Sequence, residues 1–313
     1  MADRPELRYR FDLSPAAAVH ESRLVGTIMW DGRERSLESQ AADATTGHAQ
    51  APTPPTPTQV AQFVAFEKGL FTAQRRDQAA GRLDDDGATG GPVGLQATLA
   101  AFFPGINDPL GGNPQKTPFT NIVFSLYDAW SSPAGSSRDA ARAAVARGQA
   151  IFNNKPIVIN GVNGINDVLG VASLPGFCGT CHDSPNVGNH SAKLPINIGV
   201  ANAGPFDAIS GTGAVQAFDI EGLPVFTVFC NAGAHAGTTY TVTDLGRAMI
   251  SGQCADIGKF KGPVLRGLAG RARYFHNGAA ATLDDVVSFY DQRFGIGFTA
   301  QEKKDLVAFL RTL

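Results

Sequence analysis

Apolar residues recur at helical spacing in a few stretches of this chain, separated by long irregular ones. Within residues 59–80, Val60, Phe63, Val64, Phe66, Leu70 and Phe71 lie mostly three and four apart, which predicts an amphipathic helix whose aromatic stripe packs in a core. The Pro/Thr run at 51–58 is a stiff loop ahead of it and offers Thr58 as N-cap. Residues 138–152 are Ala-rich and predict a helix capped by Ser136 or Ser137. Residues 282–290 predict another, with Thr282 as N-cap and the carboxylates of Asp284 and Asp285 in its first turn. A last helix opens on the capping box Thr299-Ala-Gln-Glu302 and carries Leu306, Val307, Phe309, Leu310 and Leu313 on one face. Shorter helices are expected after Ser36, holding Leu37 and Ala41, and over 243–250.

Between these stretches, residues 81–120 and 186–240 read as loops, consistent with the 36 glycines and 19 prolines of the chain. Asp84, Asp85 and Asp86 lack the spaced ligand pattern of a calcium loop and read as a solvated turn. Ser131-Ser-Pro-Ala-Gly-Ser-Ser137 reads as a linker, dividing the 313 residues into 1–137 and 138–313. The apolar fraction of 43% and charged fraction of 17% suit a globular chain, and a net charge of −2 points to neither nucleic acid nor an anionic membrane surface. No apolar run reaches the roughly 18 residues of a membrane span.

The chemistry is concentrated in Gly176-Phe-Cys178-Gly-Thr-Cys181-His182-Asp-Ser184. In C-x-x-C-H two thiols bond to the vinyl groups of a haem and the histidine supplies an iron ligand. Half of a zinc site would want a second Cys or Cys/His pair at ligand spacing, and a redox dithiol a βαβ context. Neither pattern is present, so Cys178 and Cys181 are expected to attach one haem c, with His182 as proximal ligand. The other two cysteines, Cys230 and Cys254, are an even pair that suits one disulfide, the alternative being two buried thiols. Covalent haem attachment and a persistent disulfide both point to the periplasm. The charged start Met1-Ala-Asp-Arg-Pro-Glu-Leu-Arg-Tyr9 has no signal-peptide apolar region, so the sequence is expected to be a processed or partial form of its gene product.

Three further segments carry a family resemblance: Gly258-Lys-Phe-Lys-Gly-Pro-Val-Leu-Arg-Gly-Leu268, Arg273-Tyr-Phe-His-Asn-Gly278 with the helix after Thr282, and Trp30-Asp-Gly-Arg-Glu-Arg-Ser-Leu-Glu-Ser-Gln40. Together they resemble the di-haem cytochrome c peroxidase and MauG-like family. The resemblance implies a mainly α fold of cytochrome c-type helical domains with long irregular loops, in which residues 138–313 form the haem-binding domain. Residues 1–137 would then be a degenerate or truncated first domain. Relatives carry two haems: the first reacts with peroxide, the second exchanges electrons, and a tryptophan lies between them. On that pattern Trp30 is the bridge and the Cys178/Cys181/His182 haem is the electron-transfer one. The sixth iron ligand falls on Tyr290, with Met249 as the alternative, and His276 lies near the haem and the domain junction. The resemblance also allows a calcium at Asp3 and the carbonyls of Arg271 and Arg273.

Departures from the pattern matter as much. There is no first C-x-x-C-H, and Arg4-Pro-Glu-Leu-Arg-Tyr9 resembles the segment that follows it in relatives. Gln40 stands where the family places a pocket glutamine, but the acidic partner expected near residue 50 is replaced by His48-Ala-Gln50. The sequence therefore reads as a peroxide-linked haem redox protein carrying the electron-transfer haem, or as a single-haem electron-transfer cytochrome without enzymatic activity. A weaker third reading has peroxide displace Tyr290 at the one haem. Expected partners are a small redox protein or other electron donor or acceptor, with hydrogen peroxide as oxidant and a homodimer as a further option.

Overall fold

The computed structural model describes residues 8–13, 27–69, 73–99, 103, 105–132, 135–189, 194–202, 206–207, 212–213 and 222–313. In chain order the elements are β1 (Arg8–Leu13), α1 (Leu37–Asp43), α2 (Pro57–Gly69), β2 (Arg76–Asp77), β3 (Gly81–Arg82), α3 (Gly91–Leu99), α4 (Ser137–Asn154), β4 (Ile157–Asn160), α5 (Asn166–Leu169), β5 (Ser173–Gly176), β6 (Phe206–Asp207), β7 (Thr212–Gly213), β8 (Val225–Cys230), β9 (Thr239–Val242), α6 (Ala248–Ser251), α7 (Leu283–Phe294) and α8 (Ala300–Leu310).

The largest core cluster is built on α4 and α8. Helix α4 is capped by Ser136, whose hydroxyl accepts from the Asp139 amide while the Asp139 side chain accepts back. Its buried side is Arg142, Val145, Ala146, Gln149, Phe152 and Asn153, the three-and-four spacing of one helical face. The helices touch at Gly148: a Cβ there would lie 2.0 Å from the Asp305 carbonyl oxygen and 2.6 Å from the Phe309 Cβ. Arg147 beside it makes a two-pronged pair with the buried Asp305 carboxylate, at 2.7 and 2.9 Å. Leu83, Leu95, Phe124, Tyr127 and Trp130 join Phe152, Phe309 and Leu313 in the same cluster. This core thus runs across position 137/138, where the sequence suggests a linker.

Helices α7 and α8 begin where their capping boxes place them, at Thr282 and Thr299. Ser36 caps α1 through the Ser39 amide. Helix α2 departs from expectation in three ways. Its first turn is capped by Thr56, whose hydroxyl accepts from the Gln59 amide, rather than by Thr58. It ends at Gly69, and by Asp77 the chain is in a turn in which that carboxylate accepts from the Ala79 and Ala80 amides. Its aromatic stripe is not core either: Val64 is buried, but Phe63 and Phe66 are exposed.

The mainly α expectation holds only in part, because a strand layer stands in the stretch read as loops. β8 pairs in parallel with β1 and antiparallel with β9. Val228, Cys230, Tyr240 and Val242 point from β8 and β9 into a second core cluster, completed by Leu245, Cys254 and Ile257. The Cys230–Cys254 disulfide is formed, with Cα atoms 6.1 Å apart, and ties β8 to the segment that leads toward Phe260. Two further sequence expectations are shortened or extended: the 243–250 helix is the single turn α6, and α3 forms inside 81–120. Asp84 pairs with Arg82, and Asp86 with Arg142, so the acidic run is a surface turn.

Candidate functional site

The antiparallel pair β4–β5 aligns Ile157 with Gly176 and delivers the chain into a tight turn at Cys178–Thr180. The small residues here are required by close approach. A Cβ on Gly176 would lie 2.4 Å from the Ile159 Cδ1, and one on Gly179 2.7 Å from the Val123 Cγ2. The Phe177 amide donates to the Thr180 hydroxyl at 2.9 Å, the Thr180 amide to the Phe177 carbonyl, and the amides of Cys181 and His182 to the Cys178 carbonyl. These bonds wind the segment so that both thiols and the imidazole reach one cavity.

That cavity, of about 340 Å³, is walled mainly by apolar side chains, among them Ile157, Ile159, Ile196, Ile198, Phe294 and Leu306. Cys178 and Cys181 are not joined to each other and present their surface to it. Screening from bulk water pushes both thiols up to about 12, with the nearby Asp183 charge adding to the effect at Cys181. His182 is steered by its backbone: its Nδ1 lies 3.0 Å from the Gly188 carbonyl oxygen. Donating the Nδ1 proton there leaves Nε2 as the unprotonated nitrogen, the form that binds a metal.

Tyr290, on α7, lines the same cavity among the rings of Phe275, Phe289 and Phe294. Burial drives its phenol well above the ordinary tyrosine value, and proximity to the two cysteine sulfurs adds to the rise. Among the described residues its hydroxyl makes no hydrogen bond. Trp30 also lines the cavity, 5.8 Å from the His276 ring between centroids. His276 packs on Phe260 at 4.8 Å, and its Nδ1 is hydrogen-bonded to the Asp244 carboxylate.

The structure therefore gathers Cys178, Cys181, His182, Tyr290, Trp30 and His276 around one space. Met249 is not among them: it is 56% exposed on α6. Gln40 is half-buried on α1 and outside the cavity lining, and His48 is exposed. Arg271 and Arg273 line the cavity at exposed positions, whereas Asp3 lies outside the described residues. Sequence reasoning missed Lys261, whose signal is a second cation, after Lys259, beside Phe260, Gly262 and Pro263. Its ammonium bonds the Thr27 carbonyl and its amide donates to the Trp30 carbonyl at 2.7 Å, so it staples the Trp30 segment to the cavity wall. An apolar cavity with two thiols and a backbone-oriented imidazole on one wall fits a covalently attached haem.

No family model matches the chain. Over 78 residues it is 49% identical to the cytochrome-c peroxidase IdrP2 of Denitromonas iodatirespirans, covering 23% of this chain and 21% of that protein. It is 46% identical over 69 residues to IdrP1 of the same organism, 18% of each chain, and 38% identical over 81 residues to IdrP1 of Pseudomonas sp. (strain SCT), 22% and 21%. The matched segments thus span about a fifth of those relatives' length. A solved MauG-like protein associated with microbial copper homeostasis aligns with 92% of this chain and 71% of its own, at 20% identity and a TM-score of 0.39. Over these matched segments the chain is similar to cytochrome-c peroxidases. Among the described residues no helix is long and apolar enough to cross a membrane.

Proposed function

We propose that this chain is a periplasmic c-type haem redox protein that carries the electron-transfer haem of a peroxide-linked system. The observation that carries this reading is the convergence of Cys178, Cys181, His182, Tyr290 and Trp30 on one apolar cavity. Bound there, haem supplies a one-electron iron couple. Cys178 and Cys181 would hold it through thioether bonds, and His182, through Nε2, and Tyr290 would supply the iron ligands. A tyrosinate donor favours the oxidised metal, and the aliphatic wall keeps water from it. Trp30 places an aromatic ring at the rim, on the route between this haem and a partner. Residues 138–313 form the haem-binding half. Residues 1–137 represent a degenerate or N-terminally truncated first cytochrome c-like half, whose later part packs on α4 and α8.

Peroxide cleavage needs an open iron site with a polariser and a proton shuttle. Gln40 lies outside this cavity, so the reading assigns that chemistry to a second haem not attached to this chain. The second reading, a single-haem relay cytochrome without enzymatic activity, uses the same haem site at Cys178, Cys181 and His182.

Pyridine haemochrome analysis of protein matured in a c-type haem-attaching host tests the proposal, with one haem per chain expected. A haem-free product that is folded would overturn it. Turnover of hydrogen peroxide with a reduced small donor is expected at the level of free haem. Turnover far above that level would assign peroxide cleavage to this haem and refute the relay role.

A further inference from the structure

The formally charged side chains lining the cavity are Asp244 and three residues of one segment, Lys261, Arg271 and Arg273. Asp244 is already engaged, by the His276 Nδ1 and by the Gly246 amide at 2.9 Å. Three cations therefore face an apolar cavity, and none of them makes an ion pair among the described residues. Among the described residues the Lys261 ammonium bonds the Thr27 carbonyl alone, and Arg273 bonds the Gly278 carbonyl at 3.1 Å. Each keeps donors in reserve, since an ammonium has three and a guanidinium five.

A haem carries two carboxylates on the edge opposite its vinyl groups. With the vinyl edge held at Cys178 and Cys181, these carboxylates would enter an apolar space that strongly disfavours an uncompensated anion. We propose that Lys261, Arg271 and Arg273 form the anchoring site for the two haem carboxylates, with Lys261 as the buried member and the arginines as the outer pair. The proposal rests on the haem reading above. Charge supports it, because three cations without an ion pair among the described residues face the cavity and two carboxylates would supply the anionic partners. Burial supports it too: Lys261 loses proton affinity through desolvation, a penalty that an anionic neighbour offsets. The same site explains why Lys261 binds both the Thr27 and Trp30 carbonyls, since anchoring then fixes the Trp30 ring relative to the haem edge.

The test uses the full chain with its haem attached. Pyridine haemochrome first counts haem: a parent protein without haem refutes the underlying reading, whatever the three cations do. With one haem per chain, midpoint potentials are measured by spectroelectrochemical titration. A cation beside the carboxylates stabilises the reduced iron, so Lys261→Met and the double variant Arg271→Gln/Arg273→Gln are expected to shift the potential downward. Lys261→Arg is expected to restore the parent value, which a purely apolar packing role of the stem would not require. The double variant lies at exposed positions and decides the matter if Lys261→Met fails to fold. Potentials equal to the parent in the folded, haem-loaded variants would overturn the anchoring site.

Discussion

The carbonyl oxygen of Gly188 lies 3.0 Å from the Nδ1 of His182, so the orientation of the candidate iron ligand is set by a loop residue six positions on. Gly188 has a φ of +64°, and a Cβ there would meet the Phe124 Cζ at 2.7 Å and Leu265 side-chain atoms at 3.0 and 3.1 Å. Both its conformation and its packing require glycine. Gly188→Ala is expected to cost about 2 kcal/mol of stability, from strain and overpacking together. In the haem-loaded protein it should also alter the iron ligand-field spectrum, because the carbonyl that holds the imidazole moves. Denaturant titration alongside the visible spectrum checks both, and a variant unchanged in each would show that the carbonyl does not orient His182.

Tyr290 gives the sharpest spectroscopic prediction. Its phenol is driven above the ordinary value by burial, so in the haem-free chain it stays protonated across the neutral range. Iron ligation replaces that proton, and Tyr290→Phe removes the donor without changing the shape of the aromatic nest of Phe275, Phe289 and Phe294. The expected result is a changed visible and EPR spectrum with an upward shift of the potential, since a phenolate favours the oxidised metal. Identical spectra in variant and parent would refute tyrosinate ligation.

What the sequence made legible follows from how local each signal is. Caps at Ser36, Ser136, Thr282 and Thr299 are four-residue patterns with a hydrogen-bond mechanism, and all four stand where they were expected. The haem motif was legible for the same reason. Burial direction was not, because Phe63 and Phe66 have helical spacing but find no partner layer among the described residues, and periodicity alone does not say what a face packs against. The strand β8 was missed although Val225-Phe-Thr-Val-Phe-Cys230 is rich in β-branched and aromatic residues, because its pairing with β1 joins positions more than 200 residues apart. Met249 failed as a cavity residue on the same ground: only the fold determines that α6 turns it outward. Lys261 was invisible because its role arises from carbonyls at Thr27 and Trp30, distant in the chain.

The Cys230–Cys254 bridge closes a span of 24 residues around the second core cluster. By loop-closure entropy its removal costs about 3 kcal/mol. Neither cysteine lines the haem cavity. Cys230→Ser/Cys254→Ser is therefore expected to unfold at lower denaturant while keeping one haem per chain and the parent visible spectrum. Intact mass after alkylation with and without reductant checks the bridge directly, two thiols becoming reactive only after reduction. A variant that keeps its stability would mean that the bridge does not restrain the strand layer.

Asp291 joins α7 to α8 and should dominate a local acid response. Burial raises its carboxyl, but the Lys303 ion pair at 2.7 Å and the Phe298 and Gly297 amides outweigh that, so the folded value lies below the ordinary one. A carboxylate depressed in the fold contributes stability that is fully present above the unfolded-state value, about 4, and is lost as pH falls through the folded value. Asp291→Ala removes the two amide bonds and the ion pair, for about 1 kcal/mol at pH 7. Because the parent loses the charge-dependent part of that contribution in acid, the gap between parent and variant should narrow as pH falls from about 5 toward 3. Denaturant midpoints across that range test the sign: a gap that stays constant would show that the ionised carboxylate is not what holds the α7–α8 junction.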